Sequence, residues 1–377
     1  MTKVPDKVDL FVPGRLCLFG EHSDWAGGYR RIDSSLSKGF CLLVGTNQGI
    51  YATAKRHPSK LIVTSTLPDG KTLGPHEMEM NPKKLLAVAE EGGFYSYSAG
   101  VAYFVQCHYN VQGLEINSYR MDLPIRKGLS SSAANNVLVA RAFNQLYDLK
   151  LTKRGEMEIA YQGEILTPSR CGRMDQACAY GNTPVFMTFD GERMDVEEIY
   201  PKRDVVMVIA DLKAGKNTQK ILADLNACYP KSGGKIGEDV RYYLGPVNKD
   251  ILSRSREAVT QADPKQIGAL MEESQRFFDH FMAPACPTEL LSPKLHFVLT
   301  NPELKELTYG GKGVGSQGDG CVQFVAKGVQ EQKLLMDKLK ELGMDPYPLT
   351  IKASTKAPKS SEQQPKCDSP KTKVADE

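Results

Sequence analysis

Residues 124–147 constrain the fold most tightly. A Gly–Ser-rich loop, PIRKGLSSSAA (124–134), opens directly into a segment in which Ala134, Leu138, Ala142 and Leu146 share one helical face, with Val139 and Phe143 beside them. This spacing predicts a helix over Ser131–Tyr147, and a strand-like stretch at 114–122 precedes it. A helix start leaves several N–H donors unpaired and carries partial positive charge, so it is a ready anion site. Serine hydroxyls add donors and can reach a hydrated Mg²⁺. The same residues also suit a well-capped helix without a ligand, because serine is a common N-cap. No G-x-x-x-x-G-K-[ST] run occurs, so the loop is not a Walker A element.

The rest of the chain reads as mixed α and β. Strands are expected at 8–12, 40–56, 205–210 and 321–326. Thr152 is placed as the N-cap of a helix running through Glu164, and Asp263 with Pro264 opens another that reaches about Met282. Residues 329–342 have amphipathic helical spacing, whereas 227–245 show no clear period and are expected to form a mobile loop.

The 377-residue length suggests two domains, with a boundary expected within 190–201. The division is set at 1–195 and 196–352. Residues 353–377 hold five lysines, four acids and three prolines but no aromatic, Leu, Ile or Met, so they are expected to be a disordered tail. With 41% hydrophobic and 25% charged residues, the composition is that of a globular protein. A net charge of +3 is too small to argue for nucleic acid or an anionic membrane. No apolar run approaches the roughly 20 residues of a spanning helix, and the first ten residues lack the apolar core of a secretory signal. The nine cysteines are scattered, with no C-x-x-C pair, which fits a reducing, cytoplasmic compartment.

Three further segments carry chemistry. FVPGRLCLFGEHSDWAGGY (11–29) sets Arg15, Glu21, His22 and Asp24 among glycines at a strand exit. Carboxylates and imidazole bond vicinal hydroxyls, and glycine lets backbone approach a ligand; a solvated turn with surface charges is the alternative. GGKGVGSQGDGC (310–321) contains Gly313, Gly315 and Gly318 in G-x-G-x-x-G spacing. A dinucleotide fingerprint opens a helix, but here the strand-like CVQFVA follows, so a glycine loop packed against the phosphate loop of another domain is the better reading. CGRMDQ (171–176) presents Asp175, with Glu164 on the preceding helix; a capping or salt-bridged acid is the alternative.

In this order the four segments resemble the motifs of the GHMP family of small-molecule kinases, and within it the galactokinase-like sugar kinases. PGRLCLFGEHSDWAGG is similar to the galactokinase signature, PIRKGLSSSAA to the family's phosphate loop, CGRMDQ to the segment bearing its catalytic aspartate, and GVGSQGDGC to its glycine-rich third motif. The resemblance covers residues 8 to about 352. It implies a two-domain α+β fold with the active site in the cleft, an N-terminal α/β domain containing a left-handed β-α-β crossover, and a ferredoxin-like C-terminal domain.

The resemblance also implies roles. Gly128, Leu129, Ser130, Ser131, Ser132 and Ala133 would bind ATP; Ser132 and Glu164 would hold Mg²⁺. Asp175 and Arg15 would be catalytic, with Arg15 keeping the aspartate ionised. Glu21, His22, Asp24 and Asp175 would bind the substrate. The implied reaction transfers the γ-phosphoryl group of ATP to the anomeric hydroxyl of a monosaccharide, galactose or a related sugar. The implied partners are ATP and that sugar, with no nucleic acid or membrane, in a monomer or weak homodimer. Gln317 and Asp319 depart from the usual third motif, and Trp25 stands where galactokinases usually carry Tyr. DLKAGKNT (211–218) and PYPLTIKAS are similar to plant glucuronokinases, which leaves a glucuronokinase- or arabinokinase-like 1-kinase open. Lys213 or Lys216 could then face an acidic sugar, or both could be solvated. A non-catalytic sugar sensor and a kinase for a non-sugar alcohol such as mevalonate are the remaining readings.

Overall fold

The computed structural model describes residues 4–124, 128–169 and 171–354. Part of the Gly–Ser loop, 125–127, and nearly all of the expected tail, 355–377, lie outside the described residues.

Two sheets organise the chain. The larger holds β1 (Lys7–Phe19), β2 (Gly39–His57), β3 (Lys60–Thr66), β4 (Thr72–Glu79), β5 (Gly113–Met121), β6 (Val185–Asp190) and β7 (Arg193–Glu198). They follow the order β4-β3-β5-β2-β6-β7, with β1 antiparallel to β2. At 19 residues, β2 is long enough to pair with β6 through its first residues and with β5 through its second half. β3 and β5 run parallel, so their connection must cross over, and it does so through the helices Pro82–Glu91 and Ser96–His108.

The smaller sheet holds β8 (Val205–Asp211), β9 (Thr308–Gly313), β10 (Cys321–Ala326) and β11 (Asp345–Ile351) in the order β11-β8-β10-β9, all antiparallel. With helices between β8 and β9 and between β10 and β11, this is the ferredoxin-like arrangement. Side chains alternate across a strand, so Met207 and Ile209 of β8 enter the large central core while Val208 and Ala210 enter a smaller one. Leu335 and Leu339 of the helix Val329–Glu341 close that smaller core. Burial on both faces explains why β8 is apolar throughout.

Local expectations and structure agree closely at the helices Ser131–Tyr147, Lys153–Glu164 and Pro264–Phe281. Thr152 Oγ1 accepts from Gly155 N at 3.1 Å, and Asp263 accepts from Lys265 N and Gln266 N, as capping requires. Two readings are corrected. β1 does not end at residue 12 but runs to Phe19, so Gly14 and Arg15 lie inside the strand. Residues 227–245 are not a loop: Gly234–Tyr242 is helical and continues through a π turn, Tyr243–Val247, into the helix Asn248–Gln261. Val240, Leu244 and Val247 are buried along this stretch, but the glycines and Pro246 hid the period. The division at 195 falls inside β7, and the chain changes sheets between Glu198 and Val205. Among the described residues, no helix is long and apolar enough to cross a membrane.

Candidate active site

A cleft of about 1630 Å³ runs between the Gly–Ser loop, the glycine loop and the segments around Asp24 and Asp175. Arg15, Glu21, His22, Asp24 and Asp175 line it, as do Gly128 and the three serines 130–132. Leu129, Ala133 and Glu164 do not reach its surface and are buried behind it.

Among the described residues, no side-chain hydrogen bond caps the helix tip. Ser130 takes left-handed dihedrals (φ 56°, ψ 51°), and its side chain makes no capping bond. Ser130 therefore does not cap the first N–H groups of this helix, whereas Thr152 and Asp263 cap theirs. A register shift in β1 between Pro13 and Arg15 aims the Arg15 N–H at the Leu129 carbonyl, 3.0 Å away. Gly14 permits this contact, since a Cβ there would lie 2.8 Å from Leu129 O and 2.9 Å from Thr46 Oγ1. From the other sheet Gly315 meets the loop, with its Cβ direction 3.7 Å from the Gly128 Cα. The glycine loop thus packs against the Gly–Ser loop. Gln317 is buried beside it, and Asp319 Oδ1 accepts from Leu295 N at 2.9 Å, so these two departures serve the loop and a helix start.

Behind Ser132 lies Glu164, fully buried. Ser132 Oγ donates to its Oε1 at 2.8 Å, and Asn136 and Gln176 each donate to Oε2 at 2.9 Å. Three donors make a buried carboxylate tolerable. Among the described residues, no group of three or more His, Cys, Asp or Glu is arranged to hold a metal ion. The donor set nevertheless fits Mg²⁺, which binds hard oxygens and takes one or two protein ligands with phosphates and waters completing the shell. Ser132 Oγ, its proton directed to Glu164, has lone pairs free for such an ion.

Arg15 pairs with Asp175, which starts the 3-10 helix Asp175–Tyr180. Only 5% of Arg15 is exposed, and its Nε and Nη1 are buried without partners among the described residues. The Asp175 side chain remains 25% exposed toward the cleft.

His22 has left-handed dihedrals at the start of the helix Ser23–Gly28. Trp25 Nε1 donates to His22 Nδ1 at 3.2 Å, which places the proton of the neutral ring on Nε2. Burial, helped by the Lys216 and Lys312 charges and opposed by the Ser316 backbone, pushes the imidazole down to about 4. Trp25 also packs edge-on against Tyr29 and Tyr229. Burial raises the Asp24 carboxyl above its ordinary value, while the Trp25 N–H, Arg15 and the Met174 N–H act the other way. Glu21 is held by Lys312 of β9, an ion pair linking the two sheets. Sequence reasoning gave Lys312 no role, although it lies inside the quoted GGKG run.

The two lysines of 211–218 part company. Lys213 pairs with Asp345 at the surface, whereas Lys216 lines the cleft. The opposite arm of the cleft is more apolar: Leu67, Phe94, Tyr97, Met121 and Pro168 line it. Sequence reasoning found no such arm, because its side chains come from four separate segments without a shared pattern.

Residues 96–182 match the model of the GHMP kinases N-terminal domain. The chain is 25% identical over 292 residues to the galactokinase of Thermococcus kodakarensis, covering 71% of this chain and 76% of that protein. It is 26% identical over 208 residues to the galactokinase of Pyrococcus furiosus, covering 54% and 52%. In fold it is similar to the Lactococcus lactis galactokinase complexed with galactose, with a TM-score of 0.69, 17% identity and coverage of 94% and 96%. The Methanococcus jannaschii mevalonate kinase follows at 0.68, with 15% identity and coverage of 92% and 98%. The matched segment contains the tip of the Ser131–Tyr147 helix, and the fold is shared nearly end to end with GHMP kinases such as galactokinase and mevalonate kinase; galactokinases are among the proteins similar to this chain in sequence.

Proposed function

We propose that the protein is an ATP-dependent sugar kinase that transfers the γ-phosphoryl group to the anomeric hydroxyl of a monosaccharide, giving a sugar 1-phosphate. One observation carries the reading: the Arg15–Asp175 pair faces the same cleft as a helix tip that, among the described residues, no side chain caps. Galactokinases among the relatives add weight to a sugar acceptor.

Phosphoryl transfer is governed by positioning and charge stabilisation. The N–H groups at the start of the Ser131–Tyr147 helix and the hydroxyls of Ser130–Ser132 receive the phosphates, and the apolar arm by Phe94 and Tyr97 receives the base. Mg²⁺, when bound, neutralises phosphate charge, and Ser132 with Glu164 behind it would hold it. Asp175 accepts the hydrogen bond of the attacking hydroxyl and orients it. Arg15 keeps that carboxylate in place and offers its unpartnered N–H groups to the transferring phosphoryl. His22 Nε2 donates to a sugar oxygen, and Asp24 accepts from a sugar hydroxyl. Glu21, with one oxygen on Lys312, keeps the other for the substrate or simply fixes the segment.

The test is ATP-to-ADP turnover with Mg²⁺ over a panel of free monosaccharides, with mevalonate and homoserine alongside. Sugar-stimulated turnover yielding a 1-phosphate is expected. Turnover with mevalonate or homoserine alone, or none with any acceptor, defeats the reading.

A further inference from the structure

Lys216 lies between β8 and the helix Thr218–Ala227, and its side chain threads beneath the glycine loop. A Cβ on Gly320 would lie 2.7 Å from its Cε and 2.9 Å from its Nζ, so the lysine runs directly against the Gly320 backbone. Nζ donates to Gln317 O at 2.9 Å and, more weakly, to Val314 O at 3.3 Å. An ammonium has three N–H donors, so one remains.

Among the described residues no carboxylate pairs with Lys216, although Lys213 three residues earlier has Asp345. The acids nearby are committed elsewhere. Glu21 is held by Lys312, Asp175 by Arg15, and Asp24 by backbone N–H groups. A buried ammonium without a counter-ion is unfavourable. Burial accordingly pulls Lys216 down to about 8, which still leaves it mostly charged near neutral pH. Among the described residues, the cleft therefore holds an ammonium with no carboxylate in ion-pair contact, although the Cys321 and Glu21 charges act on it.

We propose that Lys216 is an anion-recognising residue of this cleft, its Nζ taking a ligand oxygen carried either by a carboxylate on the acceptor or by the terminal phosphoryl group of the nucleotide. Its neighbours favour the acceptor end: Lys216 acts on the His22 ring, and Glu21 acts on Lys216. The acceptor arm rests on the kinase reading; the binding chemistry does not.

Calorimetric binding distinguishes the sources. Wild type, Lys216→Met and Lys216→Arg are titrated with galactose against galacturonate, and with ADP against a non-hydrolysable ATP analogue. Loss of a hydrogen bond to a charged group predicts weakening by about tenfold or more in the Met variant, with partial rescue by Arg. Loss confined to galacturonate assigns the carboxylate, and loss confined to the ATP analogue assigns the terminal phosphoryl. Equal affinities of wild type and Lys216→Met for all four probes overturn the proposal. Should the Met variant fail to fold, amine labelling of wild-type Lys216 replaces it. Protection by galacturonate or the ATP analogue, beyond that by galactose or ADP, supports the proposal; equal labelling throughout overturns it. Absent turnover with retained protection defeats the kinase reading alone.

Discussion

Glu21 and Lys312 form an ion pair between the two sheets, with side chains only 4% and 1% exposed. Breaking a buried pair leaves one charge uncompensated, at a cost of about 3–5 kcal/mol. Lys312→Met should lose that much stability in chemical denaturation, and adding Glu21→Gln should restore much of it. A single variant as stable as wild type would contradict the pairing.

Asp175 is expected to act on the acceptor and not on the nucleotide. Asp175→Asn should lower kcat by about a hundredfold to ten-thousandfold while ATP affinity changes little. Single-turnover rates and nucleotide titration separate the two effects, and equal losses in both would count against the assignment.

Gly14 and Gly172 support opposite ends of the cleft. A Cβ on Gly172 would strike Asp24 Oδ2, so Gly172→Ala should raise KM for the acceptor more than for ATP. A Cβ on Gly14 would crowd the Leu129 carbonyl, so Gly14→Ala should raise KM for ATP first. Steady-state kinetics on both variants would reveal a reversed pattern.

The acid limb of stability should contain a His22 contribution. Burial first, then Lys216, moves its pKa from 6.5 to about 4. The folded pKa lies below the unfolded one, so between those values the unfolded state binds more protons and stability rises with pH. The penalty is absent well above 6.5, grows as pH falls, and reaches roughly 3 kcal/mol below about 4. His22→Asn should flatten this limb in denaturation curves measured at about pH 7 and about pH 4.5. An unchanged slope would mean that His22 titrates normally.

Elements were legible in the sequence where their signal is local. Ala134, Leu138, Ala142 and Leu146 mark one helix, while Thr152 and Asp263 cap two more. β1 beyond residue 12 was not legible, because Leu16, Cys17, Leu18 and Phe19 are buried consecutively and alternation disappears. The site residues were visible as motifs, but their partnerships were not. Asp175 stands 160 residues from Arg15, and Lys312 stands 291 from Glu21. Periodicity carries no information over such separations. Lys213 and Lys216 look alike in sequence, and only the fold sends one to solvent and the other beneath glycine.

The hydrogen bond from Arg15 N to Leu129 O has a consequence for how such a scaffold diversifies. It anchors Arg15 and the Gly–Ser turn to each other through main chain, so the spacing between the guanidinium and the helix tip is fixed along a single strand. Lys216, held by the glycine loop rather than by this strand, can then vary without retuning that spacing.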